Sequence, residues 1–411
     1  MRVLHVTDSD LPGRRFNGYD LLSELPQRGI TANQAVVKKL SSNPAVIALG
    51  AGRGDDVLQF WLREAERRLA INGLLVPWGR VLAELPAFRD ADVVHYHLIH
   101  NQVVSLLDLP LLFAAKPSVW TFHDPWPLTG HCIHPLESQG WLTGCSPCPY
   151  LDREFPIALD RADRMWKVKQ RVYGRLDVDI VVASRWMLDM VHRSPLGAAF
   201  ERVHLIRFGI EPDHFLAKDD RAECRRRLAI PKDDFVILLR ANPWEAKGLR
   251  QAIAALAARR PSRSTTVLAL DGRGLLNDLR GRYRVVELGW VDDPRRYAEA
   301  LCASDVFALS SLAESFGLMA VEAMAAGRPV VCFEGTAVPA ITHAPEIGIA
   351  VPWGDTEAFR AALDDLSANP AEAERRGALG RDLVREEYRH GAYVDALVAL
   401  YQAVLARRLP D

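Results

Sequence analysis

The stretch "SLAESFGLMAVEAMAAGRPVV", residues 311–331, decides the fold class of this chain. It connects two short apolar runs, "DVFAL" (305–309) and "RPVVC" (328–332), through an Ala-rich segment with helical spacing. Strand, helix and strand in this order predict a βαβ unit, in which both strands lie parallel in one sheet. Glu314 and Glu322 belong to this unit and surround a Phe-Gly pair. The stretch therefore predicts an α/β fold with one of its acids directly after a strand.

The same alternation of short apolar runs and longer amphipathic stretches recurs along the whole chain. It predicts βα units, and hence parallel sheets that are covered on both faces. The candidate strands form two series, at 2–6, 45–49, 93–97, 118–122 and 179–183, and at 235–240, 265–270, 284–288, 305–309 and 328–332. Two series in 411 residues predict two Rossmann-like, doubly wound domains, because a single core rarely grows to this size.

A break in the pattern around Gly209 separates the two series. We predict an N-terminal domain over residues 1–205 and a C-terminal domain over 206–387. The last helix, at about 388–411, carries an apolar stripe and follows a complete second domain, so we expect it to pack back on the N-terminal domain. Ligands of doubly wound domains bind beyond the carboxyl ends of the strands, which makes the residues that follow strands the candidates for function.

Composition and charge exclude several classes of protein. The 51 Lys and Arg residues nearly cancel the 52 Asp and Glu residues, which argues against a nucleic-acid binder held by overall charge. No apolar run approaches the roughly 20 residues that a membrane span needs, and the first residues enter a strand pattern without a signal peptide. Six cysteines fit a reducing compartment. We expect a cytoplasmic protein with at most peripheral contact with the inner membrane face.

The spacing of the two glutamates suits an elongated ligand with a charged middle. Glu314 lies at or before the start of the predicted helix, which Gly327 ends, and eight residues of helix rise about 12 Å. Free N–H groups at a helix start favour phosphate, and each carboxylate can accept two hydrogen bonds from a vicinal diol. The spacing therefore suits a nucleotide-sugar, with Glu314 on the hexose and Glu322 on the ribose. A helix-capping Glu followed by a salt-bridged Glu is the structural alternative.

The stretch is similar to the E-x7-E signature of retaining GT-B glycosyltransferases of the family 4 type. The matching positions are Ser311, Glu314, Phe316, Gly317, Glu322–Ala325, Gly327 and Pro329–Val331. Four further segments resemble the same family in the same order: "FGIEPDHF" (208–215), "LLRANPWEAKGLRQAI" (238–253), "LGWVDD" (288–293) and "VPWGD" (351–355). The resemblance implies two Rossmann-like domains that face each other across a cleft, a nucleoside-diphosphate-sugar donor and retention of the anomeric configuration.

The resemblance also implies roles for residues of the donor site. Arg240 and Lys247 would hold the diphosphate and stabilise the charge of the leaving group. Ser315, Phe316, Gly317 and Leu318 would line the donor beside Glu314 and Glu322. The loop "TDSDLPGRRFNGYDL" follows the first strand, and the backbone N–H groups of Gly13 and Gly18 could face an anion, with a plain surface loop as the alternative.

Other candidates follow strands of the first series. His123 resembles the histidine with which the family faces the donor sugar, although a packed core histidine is the alternative. Asn17, His97, Asp124 and Trp126 are the predicted acceptor contacts, with plain packing as the alternative for Trp126. Asp124 could bind an acceptor hydroxyl or accept its proton. Alternation along the strand places His95 and His97 on one face, which leaves a metal site or simple burial open.

A cysteine cluster is the other unusual feature. Cys132, Cys145 and Cys148, with His134 or His131 as a fourth ligand, have the spacing of a structural zinc site. The segment resembles an insertion in a subgroup of the same enzymes from bacterial polysaccharide gene clusters. Free buried thiols or one disulfide are the alternatives. No cofactor is expected for the catalysis itself.

The sequence thus predicts a metal-ion-independent glycosyltransferase. Its donor would be a nucleoside-diphosphate sugar and its acceptor a saccharide, a lipid-linked glycan or another hydroxyl compound, in bacterial surface polysaccharide or glycoconjugate biosynthesis. Two rival functions share the architecture. A sugar-nucleotide epimerase would need no acceptor, and a non-catalytic sugar-nucleotide-binding subunit would not turn the donor over.

Overall fold

The structure is a computed structural model that describes residues 1–11, 16–50, 53–153 and 155–408. The chain divides into two compact units. Met1–Ile206 and Tyr393–Asp411 form the first unit, and Arg207–Ala392 form the second. The sequence placed these two boundaries at 205/206 and 387/388.

The first unit is built on a parallel sheet of seven strands. These are β1 (Arg2–Ser9), β2 (Thr31–Lys38), β3 (Val46–Ala48), β4 (Val93–Tyr96), β5 (Ser118–Phe122), β6 (Asp179–Val182) and β7 (Val203–Leu205). Their order in the sheet is β3-β2-β1-β4-β5-β6-β7, and each neighbouring pair is parallel. Apolar runs such as "SVWTF" in β5 are buried over their whole length, as strands covered on both faces must be.

Helices connect the strands of the first unit. They are α1 (Leu21–Glu24), α2 (Arg53–Leu69), α3 (Trp78–Glu84), α4 (Pro86–Asp90), α5 (Leu109–Ala115), α6 (Gly140–Thr143), α7 (Ala162–Tyr173) and α8 (Arg185–Arg193). The core of the unit is rich in buried aromatic side chains, among them Tyr96, Phe113, Trp120, Phe122, Tyr173 and Phe200. Neighbouring rings meet at tilted or edge-on angles, the arrangement that aromatic quadrupoles favour.

The second unit has a parallel sheet of six strands. These are β8 (Phe235–Ala241), β9 (Thr265–Asp271), β10 (Arg284–Gly289), β11 (Val306–Leu309), β12 (Val330–Phe333) and β13 (Ile349–Val351), in the order β10-β9-β8-β11-β12-β13. Its helices are α9 (Arg221–Arg227), α10 (Leu249–Ala258), α11 (Pro294–Ala303), α12 (Leu318–Ala325), α13 (Val338–Ile341), α14 (Thr356–Ala368) and α15 (Pro370–Glu387).

The last helix, α16 (His390–Arg408), starts in the second unit and continues in the first. Tyr393, Leu397 and Tyr401 of its apolar stripe are buried, and the Tyr401 hydroxyl lies 2.6 Å from Nδ1 of His95 in β4. The predicted return of the C-terminal helix to the first domain therefore has a specific contact. Among the described residues, no helix combines the length and the apolar character of a membrane span.

The prediction of two parallel α/β sheets is confirmed, but the predicted strands are incomplete. The segments that became β2, β7 and β13 were not among the candidates. β2 contains Asn33 and Gln34 among small and apolar residues, so it lacks a continuous apolar run. Gln34 is nevertheless buried, because its side-chain amide donates a hydrogen bond to the backbone oxygen of Asn17.

The strand order reverses at one place in each sheet. In the first sheet β1 lies between β2 and β4, and in the second sheet β8 lies between β9 and β11. The chain leaves the two central strands of each sheet in opposite directions, so a crevice opens beyond their carboxyl ends. The residues after β1 and β4, and those after β8 and β11, are therefore placed to meet a ligand of their own unit.

Candidate functional site

An ion pair lies at the reversal point of the second sheet. Lys247 follows β8, Glu314 follows β11, and Lys247 Nζ lies 2.8 Å from Glu314 Oε1. Both side chains are largely shielded from solvent, with exposed fractions of 14% and 18%. Each charge thereby offsets the desolvation of the other.

A glycine allows the loops that carry this pair to approach each other. Gly248 has φ 64°, and a Cβ built on it would lie 1.7 Å from the backbone oxygen of Ser310. The backbone N–H of Leu312 donates a 2.8 Å hydrogen bond to the backbone oxygen of Ala246, which joins the two loops beside Gly248. A side chain at this position would therefore separate Lys247 from Glu314.

Glu322 lies in the second turn of α12 and is only 1% exposed. The hydroxyl of Tyr297, on α11, lies 2.6 Å from Glu322 Oε2. This hydrogen bond fixes the carboxylate, because Tyr297 is itself buried. The sequence pattern did not single out Tyr297, since a lone tyrosine on an amphipathic helix usually contributes to packing.

Arg240, the other predicted diphosphate ligand, has a different partner. It lies near the end of β8, and its guanidinium forms an ion pair with the carboxylate of Asp271 at the end of β9. Asn242 also donates to this carboxylate, at 3.3 Å. β9 and β11 flank β8 on opposite sides. The partner of Arg240 lies at the end of β9, whereas Glu314, the partner of Lys247, follows β11. The predicted joint grip of Arg240 and Lys247 on one diphosphate is therefore not preformed in this structure.

The residues between the two glutamates are mostly packed. Ser315 and Gly317 are buried, and Leu318 is half-buried at the first position of α12. The Phe316 ring is buried and lies 5.2 Å from the ring of Phe208 and 6.0 Å from that of Tyr388, between centroids. Phe316 thus contributes a side chain to the core, and only its backbone remains for the predicted donor contact.

The loop after β1 is partly described. Gly13 lies outside the described residues. Asn17 is fully buried; its amide donates 2.7 Å to the backbone oxygen of Ser9, and its Oδ1 accepts from the N–H of Tyr19. These bonds give Asn17 a structural role in the loop in place of the predicted contact with an acceptor. Gly18 has φ 94° and a Cβ on it would lie 2.5 Å from Cγ of His5, so this glycine is required where the loop covers the His5 ring.

Three histidines form a hydrogen-bonded series in the first unit. His5 Nδ1 lies 3.2 Å from His97 Nε2, and His97 Nδ1 lies 3.0 Å from His123 Nε2. His5 and His97 are fully buried, whereas His123 is half-buried after β5. The predicted contact of His97 with an acceptor does not agree with this placement, because both ring nitrogens of His97 face other imidazoles. Alternation explains why His95 and His97 share a face, but His5 was not a candidate.

Asp124 is also held by its own unit. Its Oδ2 lies 3.3 Å from His100 Nε2, and its Oδ1 accepts a hydrogen bond from the N–H of Trp126 at 2.9 Å. Burial raises the pKa of this carboxyl, but the imidazoles of His100 and His134 and the N–H of Trp126 outweigh burial and hold the pKa below its ordinary value. A carboxylate with a lowered pKa is a poor proton acceptor, so the structure favours an anchoring role for Asp124.

Trp126 is 2% exposed, so neither face is open as a platform for a sugar. His100 stacks on it at 4.9 Å between ring centroids, and Nζ of Lys169 lies 3.5 Å from the ring centroid. Lys169 is fully buried and also donates to the backbone oxygens of Trp126 and Thr129. Burial lowers the pKa of Lys169 to about 7. The predicted acceptor contact of Trp126 therefore does not agree with its placement.

The cysteine cluster is only partly assembled in the way the spacing predicts. Cys132 and Cys145 are buried, and burial raises their pKa to about 12 and about 11. Nε2 of His131 lies 3.2 Å from Sγ of Cys148, whereas His134 influences Asp124. His131 is thus better placed than His134 as a fourth ligand. In the described part of the chain, the group whose donor atoms all lie within 4.8 Å is His5, His95 and His97.

Comparison with solved structures identifies the fold. Sucrose-phosphate synthase (tll1590) from Thermosynechococcus elongatus is similar over 99% of both chains, with a TM-score of 0.69 and 20% identity. Anabaena Alr3699/HepE, solved in complex with UDP-glucose, is similar over 98% of this chain and 100% of its own, with a TM-score of 0.65 and 16% identity. Together with the two parallel sheets, these likenesses define a GT-B fold.

Sequence comparison then identifies the family. Residues 233–369, which contain Arg240, Lys247, Glu314 and Glu322, match the family "Glycosyl transferases group 1". D-inositol 3-phosphate glycosyltransferase of Saccharomonospora viridis is 31% identical in an alignment 436 positions long, which covers 98% of this chain and 93% of the relative. This chain therefore belongs to the group 1 glycosyl transferases.

Other matches cover less of the relatives. A glycosyl transferase of Escherichia coli (strain K12) named for colanic acid biosynthesis, WcaC, is 25% identical over 250 residues. That match covers 58% of this chain and 59% of WcaC. The chain thus spans less than two thirds of the length of the first curated relatives that it matches.

Proposed function

We propose that this protein transfers a sugar from a nucleoside-diphosphate sugar to a hydroxyl group of a glycan, a lipid-linked glycan or another acceptor. The transfer would retain the anomeric configuration and serve the synthesis of a bacterial surface polysaccharide or glycoconjugate. The observation that carries the proposal is the Lys247–Glu314 pair at the reversal point of the second sheet. The pair lies within the segment that matches the family. It places a cation beside a carboxylate that can accept hydrogen bonds from sugar hydroxyls.

The ion pair suggests how the donor is bound. An incoming diphosphate offers Lys247 a second anionic partner, while Glu314 can accept hydrogen bonds from sugar hydroxyls without losing its contact with Lys247. Glu322, fixed by Tyr297, would accept hydrogen bonds from the ribose. Arg240 is paired with Asp271 through Nε, and its other N–H groups would reach the diphosphate, so we take Lys247 as the principal cation of the proposed site.

The chemical step needs stabilisation of the leaving group more than a nucleophile. We propose that the bond from the anomeric carbon to the diphosphate oxygen breaks while the acceptor oxygen bonds to the same face of the sugar. The acceptor proton passes to the departing phosphate oxygen. Lys247 stabilises the negative charge that develops there, which is the type of interaction that most strongly accelerates such reactions. No metal ion takes part in this proposal.

A donor screen tests the proposal. Purified protein is incubated with a panel of nucleoside-diphosphate sugars, starting with UDP-glucose, and release of the nucleoside diphosphate is measured with and without acceptors. D-inositol 3-phosphate, oligosaccharides and lipid-linked saccharides are separate acceptor arms. A transferase releases diphosphate in proportion to glycosylated product. Diphosphate release with free sugar and no acceptor would support the epimerase, and donor binding without turnover would support the non-catalytic subunit.

Glu314→Gln connects the screen to the site. The amide keeps the shape of the side chain but loses the negative charge that pairs with Lys247, so turnover should fall strongly. Glu374→Gln removes an exposed carboxylate of α15 and is the matched control. Equal turnover in the two variants would place the site elsewhere. Metal analysis, and assays with and without EDTA, test the proposal that catalysis needs no metal ion and show whether the cysteine segment holds zinc.

We further propose that the protein works in the cytoplasm and touches the membrane surface through α2. One stretch of this helix carries the strongly exposed apolar side chains of Val57, Leu58, Phe60 and Trp61. Arg63 and Arg68 are exposed on the following turns, which suits an anionic lipid surface. Co-sedimentation with anionic vesicles should be lost in a Phe60→Ser, Trp61→Ser variant. Equal sedimentation of both proteins would remove membrane contact through α2 from the proposal.

A further inference from the structure

Two thiols outside the proposed donor site lie next to each other in the second unit. Cys224 belongs to α9, and Cys302 belongs to the last turn of α11. Sγ of each cysteine lies 3.8 Å from the backbone oxygen of Asp219, and the two thiols are also in hydrogen-bond contact with each other. Neither cysteine is in a disulfide. The fold has thus brought together two reduced sulfur atoms that are far apart in sequence.

Contacts on either side of the thiols hold α9 and α11 in place. Nε of Arg225 donates a 3.0 Å hydrogen bond to the backbone oxygen of Ala303, the residue after Cys302. Nη1 of Arg227 lies 2.7 Å from Oε1 of Glu299, about one turn before Cys302. A disulfide forms only where the two backbones are already close, because its bond lengths and dihedral angles leave little freedom. These contacts keep the two cysteines next to each other in the folded chain.

The two cysteines differ in access and in their charged neighbours. Cys224 is fully buried, whereas Cys302 is half-buried. Burial raises the pKa of the Cys224 thiol to about 12, and the Cys302 thiol and the carboxylates of Glu299 and Asp219 add to this effect. The guanidinium of Arg328 acts electrostatically on Cys302, and a cation of this kind favours the reactive thiolate form. Cys302 is therefore the thiol that an oxidant meets first, and Cys224 is the second thiol.

We propose that Cys302 and Cys224 are a modification site, at which hydrogen peroxide converts the two thiols into a disulfide between α11 and α9. The Cys302 sulfur attacks one peroxide oxygen, the O–O bond breaks, and the other oxygen leaves as water with the Cys302 thiol proton. Cys302 is then a sulfenic acid. The Cys224 sulfur attacks the Cys302 sulfur, the S–O bond breaks, and the hydroxyl group leaves as water with the Cys224 proton. Both sulfur atoms are oxidised, and both peroxide oxygens are reduced to water.

The cysteines of the first unit are the competing site of oxidation. Sγ of Cys145 accepts a 3.2 Å hydrogen bond from the N–H of Gly130, and Sγ of Cys148 lies 3.2 Å from Nε2 of His131. These sulfur atoms have nitrogen partners, whereas the thiols of α9 and α11 contact each other. Cys332, in β12 of the second unit, is 1% exposed and is shielded from an oxidant in solution. The pair in α9 and α11 therefore combines an accessible thiol with a neighbouring one.

Peptide mapping of the oxidised protein tests the proposal. The folded protein is treated with hydrogen peroxide, the remaining thiols are alkylated, and proteolytic peptides are analysed by mass spectrometry. We expect a cross-linked peptide pair that contains Cys224 and Cys302 and that dithiothreitol separates. In Cys224→Ala, Cys302 should remain a sulfenic acid that dimedone labels, because the second thiol is missing. In Cys302→Ala, Cys224 should stay reduced, because it is buried and nothing else starts the reaction.

Cys332→Ala is the matched control, since it removes a buried thiol of the same unit that is not part of the pair, and it should form the cross-link at the wild-type rate. Oxidation in guanidinium chloride should lose the preference for this pair, because the contact depends on the fold. A wild-type cross-link within the cysteine segment of the first unit, with Cys224 and Cys302 still reduced, overturns the proposal. Oxidation of Cys302 to a sulfinic acid beside a reduced Cys224 overturns it as well. None of these measurements depends on turnover, so failure here is distinguishable from failure of the proposed transferase function.

Discussion

The two sheets carry polar side chains at the same topological position but of opposite kinds. Beyond β8 and β11 the groups are charged and paired, as in Lys247 with Glu314. In the first sheet the groups are neutral imidazoles, of which His5 lies inside β1 and its hydrogen-bond partner His97 directly follows β4. A charged pair is held by attraction between its members, whereas a neutral series is held by the continuity of its donors and acceptors. The anion site that we propose therefore lies in the second unit, beside the charged pair.

The strongest test of this comparison removes the cation of the charged pair. Lys247→Met keeps the aliphatic stem but loses the charge, and turnover should fall roughly 100- to 1,000-fold, as when one electrostatic donor is removed from an active site. Steady-state rates with the donor found in the screen measure the effect. Lys232→Met, at an exposed position of the same unit, is the control and should keep wild-type turnover. A small effect at Lys247 would mean that the charged pair is only structural.

The pH dependence of the free energy of unfolding tests whether Lys169 is neutral when it is buried in the first unit. Its pKa is lowered to about 7 from 10.5, with burial as the main cause. Between these values the unfolded chain binds a proton that the folded chain does not, so the free energy of unfolding should rise with pH by up to about 1.4 kcal/mol per unit. Below about pH 7 both states are protonated and this contribution is constant. Lys169→Met lacks the contribution, so the wild type should gain stability relative to the variant from pH 7 to 9.

Chemical denaturation at several pH values measures this difference. Lys167→Met, at an exposed lysine of the same helix, should follow the wild type at every pH. The measurements end near pH 9, because burial raises the pKa of Cys132 and Cys145 to about 12 and 11, so titration of these thiols in the unfolded chain lowers the stability of both proteins above that pH. A pH-independent difference between wild type and Lys169→Met would show that Lys169 is charged when buried.

Gly248 tests how the charged pair is assembled. Its φ of 64° and the 1.7 Å between a built Cβ and the oxygen of Ser310 mean that Gly248→Ala must displace backbone, at a cost of about 1–3 kcal/mol. The thermal midpoint and the turnover should both fall, because Lys247 moves away from Glu314. Gly281→Ala, at a position where a Cβ meets nothing within 4 Å, is the control. Unchanged turnover in a destabilised Gly248→Ala variant would show that the close contact between the two loops is not needed for activity.

The sequence predicted the charged region better than the neutral one, and there is a physical reason. Glu314 and Lys247 follow strands in a segment with a clear pattern of strand, loop and helix. Their position beyond the carboxyl ends of the strands therefore follows from the pattern alone. His5 lies inside β1, where alternation gives its face but not its neighbours. Its partners come from β4 and the loop after it. Those contacts depend on the order of the strands in the sheet, which the pattern of apolar and polar residues does not reveal.

Burial explains the other differences between prediction and structure. Trp126 and Asn17 follow strands and have the chemistry of ligand contacts, yet the first is stacked against His100 and Lys169 and the second holds its own loop. Which polar side chains turn inward depends on partners far away in sequence. Arg240 shows the same effect, because Asp271, its partner, lies on the next strand of the sheet.

The smallest predicted effect concerns how the second glutamate is held. Tyr297→Phe removes the hydroxyl that lies 2.6 Å from the Glu322 carboxylate. A hydrogen bond to a charged group contributes about 1.5–3 kcal/mol, part of which is recovered by relaxation, so the KM for the donor should rise about tenfold with kcat little changed. Tyr283→Phe is the matched control, since its buried hydroxyl donates to a backbone oxygen, that of Leu256, in the same unit. Both variants should lose similar stability, but only Tyr297→Phe should raise the KM. If both raise it equally, the effect belongs to the general stability of the unit, and Glu322 is not oriented for a ribose.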